Sequence, residues 1–184
     1  HSVPTDCPQR DERLGWMGDT QAFCPTSCWN MDMAAFYTKW MRDISDSRNP
    51  AGFVKDFNPT MENNPAAPGW GDAAVIVPWH VYRFYGDTRI LEENYDTIKG
   101  WVEYMRSHAK DGLLYEREGF GDWVAVVGSP SKTIGAAYYA YSTRLLSQIA
   151  GILGKDEDAK SYAALADSIN EAFNAAYLDA EGWY

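Results

Sequence analysis

The chain has few cysteines, few basic residues and no long apolar run, and each shortage excludes a class of protein. Its three cysteines, Cys7, Cys24 and Cys28, are an odd number that completes no disulfide framework, and their spacing without a nearby histidine is a poor zinc signature. With 16 Lys and Arg against 26 Asp and Glu, the net charge of −10 repels a phosphate backbone. No apolar run reaches the roughly 18 residues of a transmembrane helix. We therefore expect no nucleic-acid partner, no membrane span, no metal and no cofactor.

Aromatic residues, in contrast, are abundant. They make up 15% of the 184 residues, with 8 Trp and 12 Tyr. Such side chains fill protein cores, and they also cover the flat apolar faces of sugars and ligand rings. The hydrophobic share of 46% indicates a folded chain, and we treat residues 1–184 as one domain. Because the chain opens on His-Ser and not on Met, we expect it to be a piece of a longer protein, whose compartment the sequence leaves open.

Apolar residues recur at three- and four-residue spacing in five segments, which predicts five helices. The segments are residues 21–49, 72–85, 87–110, 131–153 and 156–176. Pro25 is expected in the first turn of the first helix, and Asp72 is a candidate N-cap of the second. Only Gly86 and Asp87 separate the second helix from the third, and a similarly short link joins the fourth to the fifth. Each of these two pairs is predicted to form an antiparallel hairpin.

Long loops alternate with the predicted hairpins. Residues 50–71 and 111–130 lack a sustained pattern, and they lead to Trp70-Gly71-Asp72 and contain Gly121-Asp122-Trp123. Arrays of helical hairpins collect their long loops on one face, so we expect both loops to lie beside residues 6–19. Each element pairs a carboxylate with an indole, as sugar-binding sites do, although a helix cap and two loop-packing tryptophans are the simpler interpretations.

The first of these elements reads Asp6-Cys7-Pro8-Gln9-Arg10-Asp11-Glu12-Arg13-Leu14-Gly15-Trp16-Met17-Gly18-Asp19. It has neither helical nor strand periodicity, which predicts a loop, and a charged surface loop is the simplest interpretation. The stretch also resembles the catalytic-domain motif of bacterial α-L-rhamnosidases, glycoside hydrolase family 78. The two Trp-Asp loop segments resemble later motifs of the same family. Its catalytic domain is an all-α barrel of six helical hairpins, (α/α)6, which agrees with the hairpins predicted above.

The resemblance implies hydrolysis of terminal α-L-rhamnosides with inversion, so a rhamnose-containing glycoside or polysaccharide is the expected partner. Glu12 matches the general acid, which would give its proton to the leaving-group oxygen. Eight side chains are expected to bind the sugar, either because they match the family or because they are the carboxylate beside a matching indole. They are Asp6, Arg10, Trp16, Asp19, Trp70, Asp72, Asp122 and Trp123.

One requirement of inversion has no counterpart in the sequence. A second carboxylate, about 6.5–9.5 Å from the first, must activate water. In the family this base comes from a loop late in the barrel, which no stretch here resembles; Asp19 or Asp122 is the local alternative. Five helices are also fewer than half of twelve. We therefore expect the N-terminal part of a barrel, inactive alone and able to self-associate through its uncovered flank.

Two other functions stay open at this point. One is that of another six-hairpin glycosidase or a glycoside phosphorylase. The other is that of a noncatalytic helical-repeat protein that binds sugars or partners. The sequence does not indicate the aglycone or the linkage.

Overall fold

The computed structural model describes residues 4, 11, 13–60, 62–123 and 125–182. Within these residues there are six α-helices and no strand, which confirms the predicted all-α class. The helices are α1 (Met17–Asn30), α2 (Ala34–Ser47), α3 (Ala73–Tyr85), α4 (Arg89–His108), α5 (Ser131–Ile152) and α6 (Asp156–Tyr177). None of the described helices has the length and hydrophobicity of a membrane span.

The prediction of a single helix within residues 21–49 is wrong, because this segment contributes to both α1 and α2. Helix α1 begins at Met17, before the predicted start. Pro25 consequently lies inside α1 and not in its first turn. The apolar residues Trp29, Met33 and Phe36 continue the helical spacing across the break, so the pattern of the sequence did not show it.

The break between α1 and α2 is held by a side chain from another helix. The Tyr85 hydroxyl accepts a hydrogen bond from the Met33 N–H at 2.8 Å and donates one to the Met31 carbonyl at 3.3 Å. Within the turn, the Asp32 carboxylate accepts from the Ala34 N–H at 3.2 Å. These bonds satisfy backbone groups that a continuous helix would have paired internally.

The other two helix pairs form the predicted hairpins. Gly86 ends α3 in the left-handed conformation at φ +70°, and its N–H donates to the Tyr82 carbonyl. The Asp87 carboxylate then accepts from the Arg89 N–H at 3.0 Å, where α4 begins. Helices α5 and α6 pack on each other along their length, joined by residues 153–155.

The helices form two layers, as in part of an (α/α)6 barrel. Helix α3 packs on α1 and α5, which places these three helices in one layer. Helix α2 packs on α4 in the other layer. The layers meet through contacts of α3 with α2 and α4 and of α5 with α4 and α6. Helix α3 is central, and residues 73–78 at its start are all buried. The largest fully buried side chains include Trp40, Trp101, Tyr37, Tyr115 and Tyr139.

Candidate active site

The predicted loop elements meet at the N-terminus of α1. Residues 15–17 pair with residues 56–58: the Met17 N–H donates to the Asp56 carbonyl at 2.9 Å and the Asn58 N–H donates to the Gly15 carbonyl at 3.0 Å. The later loops contribute residues 68–70 and 121–123 to the same place. The described part of the first motif therefore lies beside both Trp-Asp segments, as the hairpin pattern predicted.

A cleft of about 370 Å³ opens between these elements. This volume falls within the range of about 300–1,000 Å³ that small-molecule sites occupy. Four of the predicted sugar-binding residues line it, namely Asp19, Trp70, Asp122 and Trp123. The remaining lining residues are Gly18, Gln21, Ala22, Pro68, Gly69, Gly121, Ile134 and Tyr138.

Phe120 connects the tryptophans around this cleft. Its ring centre lies 4.8 Å from that of Trp70, 5.9 Å from that of Trp16 and 6.1 Å from that of Trp123. Trp16 and Trp123 approach it edge-on, at 89° and 82°. Each such aromatic pair contributes about 0.5–1.5 kcal/mol beyond its buried area. Trp16 is thus not part of the cleft lining, and it supports the cleft through its contact with Phe120.

Phe120 is absent from the residues predicted from the sequence. A signal for it did exist, because an aromatic residue between Gly119 and Gly121 belongs to no helical or strand stripe that could bury it. It is 41% exposed in the structure. Its role could be recognised only when its three tryptophan neighbours were brought together by the fold.

Asp72 lies behind the cleft and not within it. Its side chain is 0% exposed. Oδ1 accepts hydrogen bonds from Trp101 Nε1 at 3.1 Å and from Ser142 Oγ at 2.6 Å, and Oδ2 accepts from the Gly69 N–H at 2.8 Å. Burial raises the pKa of Asp72 above its ordinary value, although these hydrogen bonds oppose the increase. Direct contact between Asp72 and a sugar is incompatible with this position.

The N-cap expectation for Asp72 also needs correction. Helix α3 does begin directly after Asp72, as predicted, but its carboxylate makes no capping hydrogen bond to the helix. The carboxylate turns back to Gly69 and inward to Trp101 and Ser142. The carboxylate of Asp72 therefore binds residues of α4 and α5 and does not provide the cap of α3 that its sequence position had suggested.

Asp122 is partly exposed and Trp123 lies at the surface. Asp122 Oδ2 accepts a hydrogen bond from the Ser129 N–H at 2.8 Å, and this bond lowers the pKa of Asp122 below its ordinary value. Trp123 is 66% exposed. An ionised carboxylate beside an open indole can accept hydrogen bonds from sugar hydroxyls while the ring covers C–H groups.

The predicted residues Asp6, Arg10 and Glu12 lie outside the described residues. Their neighbours Asp11 and Arg13 are both exposed. Among the residues that the structure describes, no group of three or more His, Cys, Asp or Glu side chains is placed to hold a metal ion. The described cleft therefore offers hydrogen-bond acceptors and aromatic surface.

Comparison with known proteins agrees with the fold. Residues 1–184 match the model of the bacterial alpha-L-rhamnosidase 6 hairpin glycosidase domain. The chain is 42% identical over 183 residues to an alpha-L-rhamnosidase of Streptomyces avermitilis, covering 98% of this chain and 18% of that protein. It is 40% identical over 185 residues to an alpha-L-rhamnosidase of Formosa agariphila, covering 96% of this chain and 20% of that protein.

Among solved structures, the Streptomyces avermitilis alpha-L-rhamnosidase complexed with L-rhamnose gives a TM-score of 0.92 at 41% identity, covering 98% of this chain and 17% of that one. The structure of an alpha-L-rhamnosidase from Dictyoglumus thermophilum gives a TM-score of 0.92 at 38% identity, covering 97% of this chain and 21% of that one. The chain thus spans about a fifth of the length of these relatives. On its match to the family model and these identities, the chain belongs to the bacterial alpha-L-rhamnosidase six-hairpin glycosidase family.

Proposed function

We propose that this chain is part of a catalytic domain that hydrolyses terminal α-L-rhamnosides with inversion. The observation that carries the proposal is the cleft at the N-terminus of α1, lined by Asp19, Trp70, Asp122 and Trp123. Two carboxylates and two indoles converge there, and Gly18 and Asp19 of the lining belong to the same sequence motif as Glu12. The relatives named alpha-L-rhamnosidase support rhamnose as the sugar.

In this proposal Glu12 is the general acid. It donates its proton to the glycosidic oxygen as the bond to the anomeric carbon breaks, which lets the aglycone leave as a neutral alcohol. Asp6, Arg10 and Asp19 bind the hydroxyls of the ring. Trp70 and Trp123 pack against its C–H groups and methyl, where burial of apolar surface and exclusion of water favour binding.

The general base comes from another part of the domain. Inversion requires a carboxylate on the opposite face of the sugar, about 6.5–9.5 Å from the acid, to deprotonate the attacking water. The described residues supply six helices, half of the twelve in a six-hairpin barrel. Asp122 already accepts the Ser129 N–H and lies beside the Trp123 indole, so we assign it to sugar binding.

Sugar binding by the 184-residue chain is the first test. Calorimetric titration with L-rhamnose should show weak binding that exceeds binding of D-glucose and L-fucose, because the cleft contains sugar-binding groups without the remainder of the domain. Equal binding of the three sugars, or none, would contradict the proposal that this cleft is selective for rhamnose.

Turnover of an aryl α-L-rhamnoside by the same chain is the second arm. We expect no turnover above that of Glu12→Gln, since the base is missing. Robust turnover that Glu12→Gln abolishes would show that the base is present in this chain. Robust turnover that survives the substitution would remove Glu12 from the acid role.

Self-association through an uncovered flank stays a prediction. Phe23, Trp29 and Met31, at 53%, 80% and 56% exposure, lie on α1 and at its end and support it. Such exposed apolar side chains are available for protein contacts.

A further inference from the structure

Gly69 precedes Trp70 and is held on both sides by buried side chains. Its N–H donates to Asp72 Oδ2 at 2.8 Å, and its carbonyl accepts from Gln21 Nε2 at 2.9 Å. Its φ of +83° is in the left-handed region that favours glycine. The backbone that enters Trp70 therefore has a defined conformation with a partner for each polar group of Gly69.

The Trp70 ring is packed between two elements of the site. A Cβ at Gly18 would lie 2.7–2.9 Å from three atoms of the indole, so the first turn of α1 lies directly against the ring. Phe120 packs on Trp70 with 4.8 Å between ring centres. The indole also lines the cleft. A shift of the Trp70 backbone would consequently change the shape of the sugar-binding surface.

The other hydrogen bonds of Asp72 connect this backbone to two helices. Trp101 Nε1 and Ser142 Oγ, from α4 and α5, both donate to Oδ1. Together with the Gly69 N–H they make three donors around one carboxylate, which accepts all of them only when both oxygens are acceptors. The position of Gly69 is thereby fixed relative to the helical core.

Gln21 secures the other side of Gly69. Its side chain is buried, at 8% exposure, and Nε2 also donates to the Tyr138 hydroxyl at 3.1 Å. Tyr138 belongs to α5 and lines the cleft. Helices α1 and α5 therefore hold the Gly69 carbonyl, while α4 and α5 hold its N–H through Asp72.

We propose that Asp72 is a positioning residue that fixes the sugar-binding surface of Trp70 through the backbone of Gly69, with Gln21 as its counterpart on the carbonyl side. Asp72 acts without touching the sugar. The identity of the ligand rests on the proposed function, whereas the placement of Trp70 can be measured with no sugar present.

Asp72→Asn tests this role, with Ser142→Ala as the matched control. The side-chain amide that replaces the carboxylate has one acceptor oxygen and an NH₂ donor group, so it cannot accept from Gly69, Trp101 and Ser142 as the carboxylate does. The NH₂ group of the variant then faces an N–H or O–H donor, and this repulsion disturbs the hydrogen bonds around residue 72. Ser142→Ala removes one donor from Oδ1 but leaves the Gly69 hydrogen bond in place. Both variants lose a core hydrogen bond, and only the first alters the support of Trp70.

The measurement is ¹⁹F NMR of the 184-residue chain labelled with 5-fluorotryptophan, with the Trp70 signal assigned by Trp70→Phe. We expect Asp72→Asn to shift or broaden the Trp70 signal and to weaken L-rhamnose binding by about tenfold, because small displacements of positioning groups reduce binding and catalysis strongly. Ser142→Ala should leave the Trp70 signal unchanged and the affinity for L-rhamnose within about twofold of that of wild type. An unchanged Trp70 signal in folded Asp72→Asn would overturn the proposal.

A second variant keeps the test decisive if Asp72→Asn does not fold. Gln21→Leu removes the donor to the Gly69 carbonyl, and it should shift the same Trp70 signal; an unchanged signal would again overturn the proposal. If wild type binds no L-rhamnose, the proposed function fails, and the Trp70 signal without sugar still decides the positioning role.

Discussion

Trp70-Gly71-Asp72 and Gly121-Asp122-Trp123 are similar in composition and opposite in environment. Asp72 is completely buried, whereas Asp122 is partly exposed and Trp123 is 66% exposed. The first segment leads directly into α3, the central helix, while the exposed residues 125–130 separate the second from α5. The comparison teaches that composition sets the available chemistry, and that proximity to a packed helix decides which side chains face the cleft.

The largest difference is expected between Gly71→Ala and Gly121→Ala. A Cβ at residue 71 would lie 2.3 Å from an atom of the buried Trp101 ring, so we expect a loss of about 3 kcal/mol in the free energy of unfolding. A Cβ at residue 121 meets nothing closer than Ser131 Oγ at 3.6 Å. Gly121→Ala should lower the free energy of unfolding by about 1 kcal/mol, because alanine is strained at φ +67°. Urea denaturation measures both, and equal losses would contradict the difference in packing.

Trp70→Ala and Trp123→Ala should separate stability from binding. Trp70 is partly buried against Gly18 and Phe120, so its loss should cost about 2 kcal/mol of stability, whereas the exposed Trp123 should cost within about 0.5 kcal/mol. Both variants should weaken L-rhamnose binding in calorimetric titrations.

Trp29→Ala is the matched control for the two tryptophan variants. Trp29 lies on α1 at 80% exposure and is outside the cleft lining. It should bind L-rhamnose as wild type does. A Trp123 variant with unchanged binding, or a Trp29 variant with reduced binding, would break the assignment of the cleft.

The smallest expected effect is the opposite titration of Asp72 and Asp122. Burial raises the pKa of Asp72 above 3.8, and the Ser129 N–H lowers the pKa of Asp122 below 3.8. Asp122 therefore contributes stability that is present above its ordinary pKa and is lost as pH falls through the lowered value. The contribution linked to Asp72 is present below its ordinary pKa and is lost as pH rises through the raised value. Carboxyl ¹³C NMR against pH checks this, and titration of both groups on the same side of 3.8 would refute it.

Much of the fold could be predicted from local patterns. The three- and four-residue spacing located α3 to α6 to within a few residues, and Gly86 with Asp87 identified the tight turn between α3 and α4. Arrangement of the loops on one face followed from the alternation of short and long connections. Four residues predicted to bind sugar consequently line the same cleft.

The tertiary structure decided the features whose partners are distant in sequence. The turn between α1 and α2 depends on Tyr85, 52 residues beyond Met33, so helical spacing alone could not reveal the break. The burial of Asp72 depends on Trp101 and Ser142, 29 and 70 residues away. The sequence by itself thus determined helices α3 to α6 and the chemical groups near the cleft, because both follow from local order along the chain. Which carboxylate faces the cleft and which supports it from the core was decided by packing between helices.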